Sequence, residues 1–136
     1  MTANSKSYRV FIPGRLPGEN EIIKAAKSGR GKGNAYGRMK ATFGARIAEM
    51  IREAGVPFLG AVFVNIVYVE KNRMRDKDNI DAGKKFIFDA LQAAGVIKND
   101  GWSELAGWRS NFAVDKHSPG VWLTIFPRSR RETKTI

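Results

Sequence analysis

Two aspartates separated by one lysine, Asp76-Lys77-Asp78, lie in a chain whose 24 Lys+Arg outnumber 13 Asp+Glu, and a third aspartate follows at Asp100. In a chain this cationic, acids that cluster need a reason. Coordination of a hard divalent cation is one, because Mg2+ prefers carboxylate oxygens, keeps several waters and is commonly held by one or two acids together with a substrate phosphate. In an extended segment, residues two apart project to the same side with Cα atoms about 6.5–7 Å apart, so both carboxylates can reach one ion. The competing role for Asp78 is a helix N-cap, worth about 1 kcal/mol, which leaves Asp76 unaccounted for. The two roles are compatible, since one oxygen can accept N–H groups while the other binds a cation.

Further along, the spacing is less decisive. Asp100 follows a predicted helix, and spacing alone does not bring it beside Asp76; read by itself it is a solvated turn residue. Asp89 shares a polar helix face with Asp78, but eleven helical residues set it about 16 Å away, which gives it a structural or ion-pair role. Lys85, about 10 Å up the same helix, has a stem long enough to lean back and balance charge on a phosphate, with an ordinary surface lysine as the alternative. Lys84 points elsewhere. His117, the single histidine, falls in a predicted turn and is incidental.

The elements that must position these residues follow from periodicity. Tyr8 to Ile12 alternates and stops at Pro13, which predicts a first strand and a turn. Glu19 to Gly37, with Lys24, Lys27, Arg30 and Lys32 among glycines, reads as a mobile basic loop that attracts a phosphate backbone or simply links two elements. Apolar residues at helical spacing predict a helix over Arg38–Ala54, and Ala61–Val69 reads as a central strand covered on both faces. The acid pair follows that strand, in a loop with Lys71, Arg73 and Arg75. A second helix is predicted over Asn79–Ala94 with Asp78 as its cap, ended by Gly95. Trp108–Val114 and Val121–Phe126 read as two strands joined by a hairpin. The order β-α-β-α-β-β makes an α+β fold with a mixed sheet and about two packed helices the expectation.

Composition bounds the function. At 136 residues with 43% hydrophobic content the chain is one domain with a real core, between a flexible N-terminus at residues 1–7 and a basic tail at 128–136. A net charge of +11 implies a polyanionic partner, because Lys and Arg release counterions from phosphates. With no cysteine there is no disulfide scaffold, thiolate zinc site or cysteine nucleophile. Residues 1–7 lack an apolar signal core and the longest apolar run is too short to span a bilayer, so neither secretion nor membrane insertion is expected.

The segment Arg75-Asp76-Lys77-Asp78-Asn79, then Lys85-Phe86-Ile87-Phe88-Asp89-Ala90-Leu91, then Gly95 and Asn99-Asp100, resembles the signature of the RusA family of Holliday-junction resolvases. Leu16-Pro17-Gly18-Glu19-Asn20 is similar to that family's N-terminal turn, and the likeness covers about Tyr8 to Phe126. The resemblance implies a RusA-like nuclease domain over residues 8–127, with Asp76, Asp78 and Asp100 binding Mg2+ and Lys85 as the catalytic lysine. It further implies DNA contacts from Asn20, Lys71, Arg73, Arg75 and Asn79, and a cytoplasmic homodimer, bacterial or phage-encoded, that nicks opposing strands of a four-way junction. The chain departs from the family pattern in three extra residues around Asp81 to Gly83, which leave Lys84 or Lys85 as the functional lysine, and counting back from Asp89 selects Lys85. Asn99 stands where many relatives have a second acid. Glu104 is a substitute ligand or, more simply, a solvated residue.

The rival expectation is a basic nucleic-acid-binding protein without catalysis, in which the acids cap a helix and pair with arginines. Phe43, Phe63, Phe86 and Trp122 read as buried rather than as stacking platforms, which argues against a reader of single strands.

Overall fold

A computed structural model describes residues 6–29 and 34–129. Four strands, β1 (Tyr8–Pro13), β2 (Val62–Glu70), β3 (Leu105–Val114) and β4 (Gly120–Pro127), form one mixed sheet in the order β1-β4-β2-β3. The fold is α+β, as expected. β2 pairs with β3 in parallel and with β4 antiparallel, which makes it a central strand. A parallel neighbour requires a crossover, and the helices between β2 and β3 supply it.

The helical segments are α1 (Glu19–Lys27), α2 (Ala35–Glu53), α3 (Lys77–Asp81) and α4 (Lys84–Ala93). One face of the sheet carries the core: Val62, Val64, Ile66 and Tyr68 of β2, at most 1% exposed, pack with Leu123 and Ile125 of β4, Ile47 and Ile51 of α2, and Phe86, Ile87 and Leu91 of α4. The alternation of β2, buried then half-buried, means that its other face is not covered by helices among the described residues. Coverage on both faces, expected from its apolar run, is therefore corrected.

Three further expectations change. The stretch expected as an open basic loop contains α1 over Glu19–Lys27, while Arg30 and Lys32 lie outside the described residues, as do Met1 to Ser5 and residues 130–136. The expected continuous helix breaks at Ala82-Gly83 into α3 and α4. A Cβ at Gly83 would meet Leu16 Cβ at 3.0 Å, so the turn before α1 packs against the break. The hairpin is replaced by a crossing: β3 and β4 are not neighbours, and the connection passes over the end of β2, where the Asp115 N–H donates to the Glu70 carbonyl at 2.8 Å.

Candidate metal and nucleic-acid site

The segment after β2 is pinned by an arginine. The Arg75 guanidinium donates to both carboxylate oxygens of Glu70, at 3.0 and 2.8 Å, and to the Leu16 carbonyl at 3.1 Å, and it lies 3.6 Å from Glu21. The side chains of Arg75 and Glu70 are each 11% exposed. A bidentate pair shielded from water is geometrically demanding and rigid. Arg75, expected on DNA, is thus engaged in holding the loop to the sheet and to the turn before α1.

The second clasp is Asn79. Its side-chain oxygen accepts the backbone N–H of Asn20 at 3.0 Å, near the start of α1. Gly18, the N-cap of that helix, has no side chain to cap with, so an amide from 59 residues away satisfies one of the otherwise unpaired N–H groups. A Cβ at Gly18 would fall 2.7 Å from Asn79 Oδ1 and 2.9 Å from Arg75 Nη1. The N-terminal turn and the acid-bearing loop are therefore built against each other, and Asn20 and Asn79, both expected on DNA, meet there.

On this support stand the two acids. Asp76, not Asp78, is the N-cap of α3, in extended conformation with φ −70 and ψ 152, and its carboxylate accepts no N–H from the helix. Its carbonyl accepts the Ile80 N–H at 3.0 Å, and among the described residues its side chain has no hydrogen-bond or ion-pair partner. Asp78, in the first turn of α3, accepts the Asn79 N–H on Oδ1 at 2.9 Å, which leaves its second oxygen available. Both acids are exposed. A cleft of about 580 Å3 opens beside Asp76, lined by Asn72, Arg73, Lys77, Ile80 and Phe112 among others. On the other side of the same loop, Arg15, Lys71 and Met74 line a second cleft. These hard oxygen donors in a cationic rim fit a Mg2+ ion and a phosphate by donor type.

Behind the acids, Tyr68 is pushed well above the ordinary tyrosine range, first by burial and then by the Asp81 carboxylate, so the phenol stays protonated and donates to the Asp81 carbonyl at 3.3 Å. The Asp81 carboxylate accepts from Ser110 at 2.6 Å and pairs with Lys84 at 3.2 Å, and Lys84 also sits 5.8 Å over the Trp108 ring. Lys84 is engaged. Lys85 is exposed and has no such partner among the described residues, which favours it as the lysine available to a ligand. Asp89 lies 3.9 Å from Lys40 of α2, an ion pair of the kind expected for it.

Asp100 does not join Asp76 and Asp78. α4 descends alongside the sheet, and the loop after it lies at the start of β2 and β3, where the Val96 carbonyl accepts the Leu59 N–H, the Glu104 carbonyl accepts the Val62 N–H and the Gly101 carbonyl accepts the Leu105 N–H. Asp76 follows the other end of β2. Nine residues of strand separate the two ends, on the order of 25 Å. Among the described residues no group of three His, Cys, Asp or Glu side chains is placed to hold a metal. Within one chain, then, Asp76 and Asp78 stand together and Asp100 stands apart from them. Glu104, expected to be solvated, is 7% exposed.

Sequence reasoning missed the Arg75 bond to Leu16 and the clasp between Asn79 and Asn20, whose partners lie 59 residues away, and it missed the Glu70–Arg75 pair, whose five-residue spacing across the end of a strand and a loop is no signal of contact. Compared with known proteins, the chain matches no family model and no curated protein. No described helix is long and apolar enough to cross a membrane.

Proposed function

We propose that this chain is a Mg2+-dependent endodeoxyribonuclease acting on four-way DNA junctions as a homodimer. One observation carries the hydrolytic part: Asp76 occupies a helix-cap position without using its carboxylate there, two residues from Asp78 and beside a cationic cleft. An N-cap aspartate ordinarily accepts helix N–H groups, so an unused one leaves an oxygen donor set for something else. Asp76 and Asp78 would hold the metal. When bound, Mg2+ supplies Lewis-acid activation of water and of the scissile phosphate. Lys71, Arg73 and Lys77 bind the flanking phosphates as a cationic rim, and Lys85 balances charge on a reacting phosphate. The four-way junction and the homodimer come from the resemblance to RusA resolvases, since paired nicks on a two-fold substrate match a two-fold protein. Asp100, at the far end of the sheet, can belong to such a site only if a second chain delivers it.

The experiment is direct. Purified protein incubated with a synthetic four-way junction and Mg2+ is expected to give paired symmetric nicks and to leave linear duplex of the same sequence uncut. Comparable cutting of the linear duplex would replace the junction enzyme with a general nuclease. The second reading, a nucleic-acid-binding protein without catalysis, is favoured by the absence of a three-acid group among the described residues. Tight junction binding with no cutting at any Mg2+ concentration would leave that reading standing.

A further inference from the structure

The sheet face opposite the helices is neither blandly polar nor acidic. It presents Arg9 and Phe11 from β1, Trp122, Thr124 and Phe126 from β4, Phe63, Asn65 and Val67 from β2, and Arg109 and Asn111 from β3. The register arranges these in rows across all four strands. Phe11, Trp122, Val67 and Asn111 form one row, and Arg9, Thr124, Asn65 and Arg109 form the next. Phe126, Phe63 and Gly107 follow. Two aromatic pairs therefore flank a polar row: Phe11 with Trp122, centroids 4.8 Å apart, and Phe63 with Phe126, 6.5 Å apart. Trp122 and Phe126, four residues along one strand, sit about 13 Å apart.

Each aromatic pair carries an arginine over its rings. Arg9 lies 4.6 Å over the Trp122 ring, and Arg128 lies 5.6 Å from Phe63 and 5.8 Å from Phe126. Arg109 is exposed, without a protein partner among the described residues, and lines a cleft of about 410 Å3 with Phe63, Asn65, Phe126 and Arg128. No Asp or Glu lies in these rows. We propose that this open sheet face binds single-stranded nucleic acid, with unpaired bases stacked on the Trp122 and Phe126 platforms and phosphates on Arg9 and Arg109.

Two arguments select this occupant. Bases stack on aromatic rings regardless of sequence while arginines track the backbone, and a four-stranded sheet with aromatic rows is a known geometry for that chemistry. A second copy of the chain is disfavoured by charge: covering this face would take Arg9 and Arg109 out of water with no acid in these rows to pair them. The reading stands apart from hydrolysis, since Asp76 and Asp78 lie past the end of β2 and belong to no row of this face.

The test uses full-length Asp76→Asn protein without Mg2+, so that cutting does not interfere. Anisotropy with labelled oligothymidylate and oligouridylate is expected to show binding to one or both, which also assigns DNA or RNA as the source. Trp122→Ala and Arg109→Glu should each weaken single-strand affinity about tenfold and leave the thermal melt intact. Trp122 fluorescence, isolated in a Trp102→Phe/Trp108→Phe background, should be quenched on binding. Unchanged affinity in both variants overturns the proposal. So does sedimentation showing a wild-type dimer that Arg109→Glu splits into monomers, which would make the face a contact between copies. Junction cutting by the wild-type chain is read separately and bears on the nuclease alone.

Discussion

The side-chain oxygen of Asn79 accepts the backbone N–H of Asn20 at 3.0 Å, so a residue of the acid-bearing segment caps a helix 59 residues earlier in the chain. The bond fastens α1 to the loop that carries Asp76. Asn79→Ala should cost about 1 kcal/mol, the usual worth of a lost cap. Asn79→Asp keeps the acceptor and adds a negative charge near the start of α1, where the helix dipole favours it, and should melt at or above the wild-type temperature. Thermal unfolding of the two variants decides the matter; equal losses would show that the amide, not the acceptor, is what α1 needs.

Arg75 and Arg73 are two residues apart and should behave oppositely. Arg75 is nearly buried against Glu70, and removing it leaves a shielded carboxylate without its cation, so Arg75→Ala should lose about 3 kcal/mol. Arg75→Lys should recover only part, because an ammonium cannot reproduce the bidentate contact. Arg73 is exposed beside the cleft, and Arg73→Ala should melt normally while lowering the salt slope of DNA binding by about one. Urea titration and binding at several salt concentrations separate the two. A folded, normally stable Arg75→Ala protein with a reduced salt slope would return Arg75 to the phosphate-binding set.

Those two contacts also mark what the sequence could carry. The apolar periodicity of Met39, Phe43, Ile47 and Ile51 places α2, and the β-branched run of β2 makes that strand central, because both signals are local. α1 escapes such reading: its cap comes from Asn79, and of its own residues only Ala25 is buried. Gly83 inside a helical pattern was a visible signal of a break, but the reason lies in Leu16, far upstream. The hairpin expectation followed from nearness in sequence, and the strand order that overrides it is set by where β2 inserts between β3 and β4. Trp122 and Phe63 read as buried because alternation does not say which face the helices choose. In the candidate site, the adjacency of Asp76 and Asp78 was legible from spacing, whereas the distance to Asp100 depends on the descent of α4.

Asp76 offers a test that separates capping from metal binding. A carboxylate that caps a helix is missed when removed, but this one accepts no N–H, so Asp76→Asn should change stability by no more than about 0.5 kcal/mol. On the proposed function the same change should abolish cutting and leave junction binding intact or tighter, because it would remove an anion from beside the substrate phosphate. Mg2+ should raise the melting temperature of the wild type by mass action and leave that of the variant unmoved. If Asp76→Asn costs a full cap and the wild type melts identically with and without Mg2+, the acid is structural.

Asp100 lies a sheet's length from Asp76 in its own chain, so any shared role must pass between two chains. Mixing inactive variants tests this. In a heterodimer of Asp76→Asn with Asp100→Asn, sites assembled across the dimer include one that draws its intact Asp76 from one chain and its intact Asp100 from the other. Refolding the two variants together should therefore restore single nicks on a four-way junction, while each variant alone stays inactive. If each chain built its whole site by itself, every site in the mixture would carry one of the two changes and nothing would be cut. Full activity of Asp100→Asn alone would remove that acid from the chemistry, and the metal would then rest on Asp76, Asp78 and substrate phosphate.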